Sequence, residues 1–369
     1  MKRILETFKQ KNSIIENESI PLFFRIGNLS DKQKLTELLN SNSHITVFDE
    51  LIGQLEELVK SQNPRIKYTK EALNDAAKKY IGEIPMEEYG VWVYYPWANR
   101  LVHLLDEQEF VYVRTNRNQY KITPDEEELL AKKKIGIIGL SVGKAIALTI
   151  AMERICGEIR IADFDIIELS NLNRIQTGVQ NLGILKTIAV AREIAEIDPY
   201  LKVVCFNEGI TELNVNDFIT NNGKLDLLVD ECDELSVKIL CRNKAKEYGI
   251  PVIMHTSDRG MIDIERFDLE PNRPILHGLI NHLDIDKVKE AKTNQEKLPY
   301  VAAIIGLDTI SQRLKDSFAE LGKSIVTWPQ LASSVTIGGG VVCGISRKMF
   351  LEQIAVSGRY YVNVDEIIK

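Results

Sequence analysis

The sequence predicts an α/β fold: a doubly wound, mainly parallel sheet of Rossmann-like type with an α+β N-terminal extension. Three observations carry this. From Lys134 onward, short apolar runs alternate with helix-length stretches, the pattern of successive βαβ units. The first run, Ile135-Gly136-Ile137-Ile138, passes into a glycine turn, Gly139-Leu140-Ser141-Val142-Gly143, and then into an apolar helical segment. The next run, Ile159-Arg160-Ile161-Ala162, ends in an acid, Asp163.

Taken in order, Pro21–Ile26 reads as a short strand and Asp31–Leu39 as a helix capped by Ser30. Thr46–Lys60 reads as an amphipathic helix, because Val47, Leu51, Leu55, Leu58 and Val59 fall near helical spacing. Thr69–Tyr80 is a further helix, stopped near Gly82. Aromatic and β-branched residues make Tyr89–Trp97 a strand ended by Pro96. Its aromatics could form a stacking platform, but no basic stripe accompanies them, and sheet core is the reading taken. Leu101–Leu105 and Glu109–Arg114 follow as one or two further strands, and Thr123-Pro124 with the acids after it opens a helix.

The sheet then takes shape. Its strands are Ile135–Ile138, Ile159–Ala162, Lys202–Phe206, Leu225–Val229 and Pro251–Met254. Helices at Gly143–Ile155, Leu185–Ile197, Asn214–Ile219 and Leu235–Tyr248 alternate with them. Met261–Phe267 alternates like an exposed edge strand, Ile285–Asn294 reads as a charged surface segment, and Val301–Gly322 as helical. The glycine-dense run Thr336–Gly344 points to close helix packing or a bend in the core.

Composition excludes several classes. The net charge of −7 offers no electrostatic footprint for nucleic acid. No apolar stretch reaches membrane-spanning length, and Met1–Lys9 has basic residues without an apolar signal core, so a cytoplasmic protein is expected. Five cysteines without a C-x-x-C pair argue against a disulfide framework and a four-cysteine zinc site.

The candidate site begins at the glycine turn. A helix N-terminus presents unpaired N–H groups to a phosphate, and Gly139 and Gly143 allow close approach. Ser141 stands where a second glycine is usual and Lys144 where a third would be. Gly-x-Ser-x-Gly also fits a nucleophile elbow, with His255 and His277 as possible partners, but no triad order follows. Asp163 can accept from ribose hydroxyls, with Asp165 a weaker candidate. Asn171, Arg174 and Lys186 follow; an amide, a guanidinium and an ammonium suit a triphosphate better than a dinucleotide. After a later strand, Ser257 and Arg259 could orient a carboxylate, or belong to an ordinary polar turn.

These residues carry a family resemblance. Gly-x-Ser-x-Gly, Asp163-Phe164-Asp165, Leu169-Ser170-Asn171-Leu172-Asn173-Arg174, Gly183-x-x-Lys186 and Ile197-Asp198-Pro199 resemble the ThiF/ubiquitin-activating-enzyme superfamily of ATP-dependent adenylyltransferases. The resemblance covers about residues 112 to 260. It implies an enzyme that adenylates a carboxylate, either the C-terminus of a small carrier protein or a small molecule, with ATP and Mg²⁺ as cofactors. It implies that Gly139, Ser141, Gly143, Asp163, Asn171, Arg174 and Lys186 bind the nucleotide, and that Asp233 holds Mg²⁺, with Asp230 as second choice. Arg114-Thr115-Asn116-Arg117-Asn118 is similar to a family segment whose second arginine reaches the partner subunit's ATP, which implies a homodimer with Arg117 acting in trans. The adenylation domain is then expected at 112–369 and a domain of separate role at 1–111, similar to a segment that some bacterial members carry ahead of this domain. The family's zinc-binding cysteine pairs and thioester cysteine have no match, so adenylation without a thioester step is expected. An NAD- or FAD-dependent oxidoreductase would use Gly139, Gly143 and Asp163 equally well but leaves Arg174, Lys186 and Asp233 without a role; a non-catalytic scaffold of the same fold would account for the altered glycines.

Overall fold

In the computed structural model the described residues are 17–289 and 294–368; the reading of Met1–Lys9 and residues 290–293 of the charged segment at 285–294 lie outside them. The chain divides into two compact units, one of residues 1–124 with 198–200 and one of 125–197 with 201–369.

The first unit folds around β1 (Leu22–Phe24), α1 (Leu29–Ser41), β2 (Thr46–Asp49), α2 (Leu51–Gln62), α3 (Lys70–Tyr80), β3 (Val91–Tyr95), β4 (Arg100–Leu104) and α4 (Glu107–Thr115). The sheet order is β1-β3-β4-β2, antiparallel except for the parallel pair β2–β4. Three sequence expectations change here. Helix α1 is capped by Asn28, whose side chain accepts from the Ser30 N–H, not by Ser30. Thr46–Lys60 is not one helix: its β-branched and aromatic start pairs with β4, and only Leu51 onward is helical. Glu109–Arg114 is helical, because Asp106 caps its first turn and Glu107 and Glu109 suit the positive end of a helix dipole. Strand β3 is buried throughout; Trp92 and Tyr94 belong to the core, and Trp92 stacks on buried His103 at 4.1 Å.

The second unit continues with α5 (Pro124–Leu130), β5 (Lys134–Ile138), α6 (Gly143–Glu153), β6 (Glu158–Ala162), α7 (Lys186–Ile197), β7 (Lys202–Phe206), α8 (Val215–Thr220), β8 (Leu227–Asp230), α9 (Leu235–Glu247), β9 (Val252–Thr256) and β10 (Met261–Glu265). After these come α10 (Asn294–Ile305), α11 (Gln312–Phe318), α12 (Ala332–Phe350), β11 (Gly358–Tyr361) and α13 (Val364–Ile367). Among the described residues the sheet order is β11-β10-β9-β8-β5-β6-β7, parallel from β9 to β7 and antiparallel at β9–β10 and β10–β11. This is the mainly parallel doubly wound sheet that the sequence predicts. Chain order reverses between β5 and β8, so a ligand crevice opens at their C-terminal ends.

Strand β10 is not an exposed edge. All five residues are buried between β9 and β11, and its two acids meet distant cations: Asp263 pairs with Arg359 at 2.6 Å and Glu265 with Arg242 at 2.7 Å. The expected helix at 301–322 is two helices, α10 and α11, the second capped by Ser311. The glycine-dense run is the middle of α12. A Cβ on Gly339 would stand 2.8 Å from the Ala145 carbonyl oxygen of α6, so the glycine is what admits the neighbouring backbone. Gly339→Val is therefore expected to lower stability by about 1–3 kcal/mol through overpacking. Gly340, with open space at its Cβ position, should tolerate alanine or gain about 0.5–1 kcal/mol. Urea unfolding of the two variants checks the contrast. Among the described residues no helix is long and apolar enough to cross a membrane.

Candidate active site at the sheet switch point

The glycine turn leaves β5 and starts α6 at the reversal point. Gly139 has φ +83°, and a Cβ there would lie 2.5 Å from the carbonyl oxygen of Glu231, just past β8. Only glycine lets the β5 and β8 ends approach so closely, which explains this position before any ligand is considered. Asp163, at the end of β6, ties the turn down: its carboxylate accepts from the Leu140 N–H at 2.7 Å and the Asp165 N–H at 2.8 Å. Burial raises its pKa, opposed by Lys186 and by these two N–H groups. Each oxygen retains a lone pair for a further donor.

The loop beyond β6 carries Asn171 and Arg174. Asn171 is buried and accepts from the Glu168 N–H at 3.1 Å, closing the short helical turn Leu169–Asn173. Arg174 is half-buried; its Nε donates to Ser141 Oγ at 3.0 Å and Nη1 to Asn173 Oδ1 at 2.9 Å. Ser141 thus provides the hydroxyl that holds the guanidinium beside the turn. Lys186, nearly fully buried at the start of α7, pairs with Asp165 at 2.6 Å. Lys144 is drawn away from the turn: it is buried and donates to Glu193 at 2.6 Å, an oxygen that Thr177 also reaches. Burial lowers the Lys144 pKa and Glu193 opposes this.

Asp233 closes the cluster. It keeps contact with solvent, yet surrounding protein desolvates it and raises its pKa; Lys238, Arg174 and Lys186 pull it down, while Asp163 pushes it up. The structure therefore gathers Gly139, Ser141, Gly143, Asp163, Arg174, Lys186 and Asp233 at the ends of β5, β6 and β8. Asp230 points elsewhere: it is fully buried, pairs with Lys238 at 3.0 Å and with Arg242, and accepts from the Cys232 N–H at 3.1 Å. Arg117 is exposed on the turn Asn116–Asn118 of the first unit. Arg259 does not serve the cavity beside Asp233; its guanidinium donates to Thr309 O and Glu366 and lies 5.0 Å from the Tyr361 ring.

Three groups near the cluster had no place in the sequence reading: Glu231, Lys238 and a wall formed by residues 301–330. All line one cavity with Val142, Asp233 and His255. Glu231 accepts from the His255 N–H at 2.8 Å, and burial raises its pKa to about 8. His255 is buried against Gly338, and its Nδ1 has no partner among the described residues. Burial lowers the His255 pKa to about 4 from 6.5. The folded state therefore prefers neutral imidazole; this stabilisation is complete above the unfolded value and is lost as pH falls from 6.5 through 4. His255→Gln removes it, so the stability advantage of the parent chain over the variant should shrink by about 2–3 kcal/mol between about pH 8 and about pH 4. Glu231 runs the opposite way, favouring the fold at low pH, and cancels in the comparison. Parallel pH profiles in urea melts would rule His255 out as the titrating group.

The ThiF family model matches residues 114–315. An uncharacterized protein of Mycobacterium tuberculosis is 42% identical over 279 residues, covering 76% of this chain and 38% of that protein. The tRNA threonylcarbamoyladenosine dehydratase 2 of Saccharomyces cerevisiae is 30% identical over 153 residues, covering 41% of this chain and 34% of that protein. The molybdopterin-synthase adenylyltransferase of Haemophilus influenzae is 24% identical over 219 residues, covering 58% and 88%. The chain thus spans little more than a third of the length of the first two relatives. Among solved structures, Escherichia coli MccB in complex with MccA-N7isoAsn aligns over 85% of each chain with a TM-score of 0.50 and 13% identity, a likeness of fold.

Proposed function

The chain belongs to the ThiF family, and on that footing we propose that it binds ATP with Mg²⁺ at the sheet switch point and adenylates a carboxylate. One observation carries the reading: Arg174, Lys186, Asp163 and Asp233 converge beside a helix N-terminus, a set that fits a triphosphate and is superfluous for a dinucleotide. The family relatives named as adenylyltransferases support the reaction type.

In the proposed reaction an ionised carboxylate oxygen attacks the α-phosphorus in line. A phosphorus–oxygen bond forms, the bond to the bridging oxygen breaks, and its electron pair leaves with pyrophosphate. No proton needs to move, so the chain's contribution is positioning and charge neutralisation. The Ser141–Gly143 end of the turn offers N–H groups, those of Gly139 and Leu140 being held by the Ala162 carbonyl and Asp163; Asp163 takes ribose hydroxyls, and Arg174 and Lys186 face phosphate oxygens, with Asn171 holding the loop that delivers Arg174. A carboxylate oxygen is the donor type magnesium prefers, and the cation usually shares one or two carboxylates with phosphates and water; Asp233 fits that donor set. Bound there, Mg²⁺ would neutralise phosphate charge.

The acceptor is the tail of a small carrier protein or a small carboxylic acid. In a homodimer, Arg117 would act on the second copy's nucleotide. We assign the adenylation domain to 112–369, a separate role to 1–111, and a reducing cytoplasm as the setting for five unbridged cysteines. Calorimetry with ATP and Mg²⁺, followed by ATP–pyrophosphate exchange with candidate carboxylates, tests the reading. Protection against heat by NAD(H) but not by ATP would replace it with the oxidoreductase alternative.

A further inference from the structure

The cavity beside Asp233 is lined by Val142 of the phosphate turn and by residues 301–330, and its wall has a definite chemistry. Val301, Ile304 and Ile305 of α10, Leu314 and Phe318 of α11, and Trp328 line it. Three charged groups of the wall are already engaged, and the neutral polar residues Thr256, Ser257 and Gln330 stand among the apolar ones. Lys238 donates to Asp230 at 3.0 Å, Glu231 accepts from the His255 N–H at 2.8 Å, and Asp258 accepts from the Ser311 N–H at 2.8 Å and hydroxyl at 2.6 Å. No cation in the wall is left to meet a second negative charge, among the described residues.

This wall discriminates between acceptors. An extended diglycine tail brings an N–H and a carbonyl per residue, each needing a partner once buried. The six apolar side chains that make up most of the wall supply none of them, which leaves Ser257 and Gln330 as the neutral side chains able to meet them. An apolar body suits the wall, with dispersion contacts to Phe318 and Trp328. The loop that holds Arg174 is also bound to this wall, since Asn173 Nδ2 donates to the Gln330 carbonyl at 2.9 Å, linking the two halves of the site.

Resting on the adenylation reading, we propose that the acceptor is a small apolar monocarboxylic acid, its body among Ile304, Phe318 and Trp328 and its carboxylate beside Asp233 and Arg174. The closing experiment uses the full chain. ATP binding is measured by calorimetry with Mg²⁺, and pyrophosphate exchange is measured with phenylacetate, hexanoate, succinate and a peptide ending in Gly-Gly. The expected result is a kcat/KM at least tenfold higher for phenylacetate or hexanoate than for succinate or the peptide. Trp328→Ala and Ile304→Asp should each lower that value tenfold or more while ATP affinity stays within twofold, which also shows that the variants fold. ATP binding with exchange driven by the peptide or succinate, or by none of the four, overturns the acceptor class and leaves nucleotide binding standing. Exchange with the apolar acids that neither variant alters overturns the placement in this cavity. Failure to bind ATP overturns the adenylation reading, and this inference with it.

Discussion

Arg174→Ala is expected to lower kcat/KM for ATP–pyrophosphate exchange by roughly 30- to 1,000-fold, equivalent to about 2–4 kcal/mol of transition-state stabilisation. The expectation rests on where the guanidinium is held. Its Nε is fixed by the Ser141 hydroxyl and one Nη by Asn173, so the charge is positioned before substrate arrives. Partial burial lowers the Arg174 pKa, with Asp233 opposing, and a partly desolvated cation acts more strongly on a developing negative charge. Arg174→Lys should recover little, because an ammonium cannot donate to Ser141 and a phosphate oxygen in the same fixed plane. Ser141→Ala should lie between parent and Arg174→Ala, since it frees the guanidinium without removing it. Steady-state exchange kinetics with ATP titrated at saturating acceptor separate the cases. Unchanged kinetics in Arg174→Ala would remove this residue from the site and with it the main support for a triphosphate.

Much of this site is legible in the sequence because it depends on local order. The parallel strands are short apolar runs with a turn at each C-terminal end, and such ends are where the ligand-facing residues fall. Gly139, Asp163 and Asp233 each follow their strand closely, so reading the strands also locates them, whereas Arg174 comes only after the loop and the turn Leu169–Asn173 beyond β6. What escaped depends on partners far away in the chain. Asp263 and Glu265 look like the solvated face of an edge strand, yet Arg359 and Arg242 bury them. Nothing near Met261 announces that β11 will cover its strand. The cavity wall at 301–330 is likewise invisible from β9, because apolar residues on a short helix are consistent with any core. Glu109–Arg114 failed for a local reason. Phe110, Val111, Tyr112 and Val113 favour a strand by composition, and the capping Asp106 with its acidic first turn outweighs them. Lys144 shows the same limit at one side chain: the sequence puts a cation next to a phosphate turn, and only the fold reveals Glu193 drawing it aside.

The largest expected loss of stability is at Arg242, and it couples the core to the chemistry. Arg242, Asp230 and Glu265 are all fully buried, with Arg242 Nε donating to Glu265 at 2.7 Å and Nη1 to Asp230. Arg242→Ala strands two carboxylates without their shared cation, and breaking a buried pair in this way costs about 3–5 kcal/mol. Lys238 still holds Asp230, and the Leu276 N–H still donates to Glu265, so the lower half of that range is expected. Replacing Arg242 and Glu265 together with methionine should cost much less, because no charge from that pair is then left unpaired. Asp230 also accepts from the Cys232 N–H and so fixes the turn that carries Asp233. Arg242→Ala should therefore weaken binding of Mg²⁺-ATP beyond the fraction of chain unfolded, although Arg242 lies beneath the site. Urea unfolding gives the first quantity, and calorimetry well below the unfolding transition gives the second. Full ATP affinity in a destabilised variant would show that the Asp230 anchor supports the fold alone.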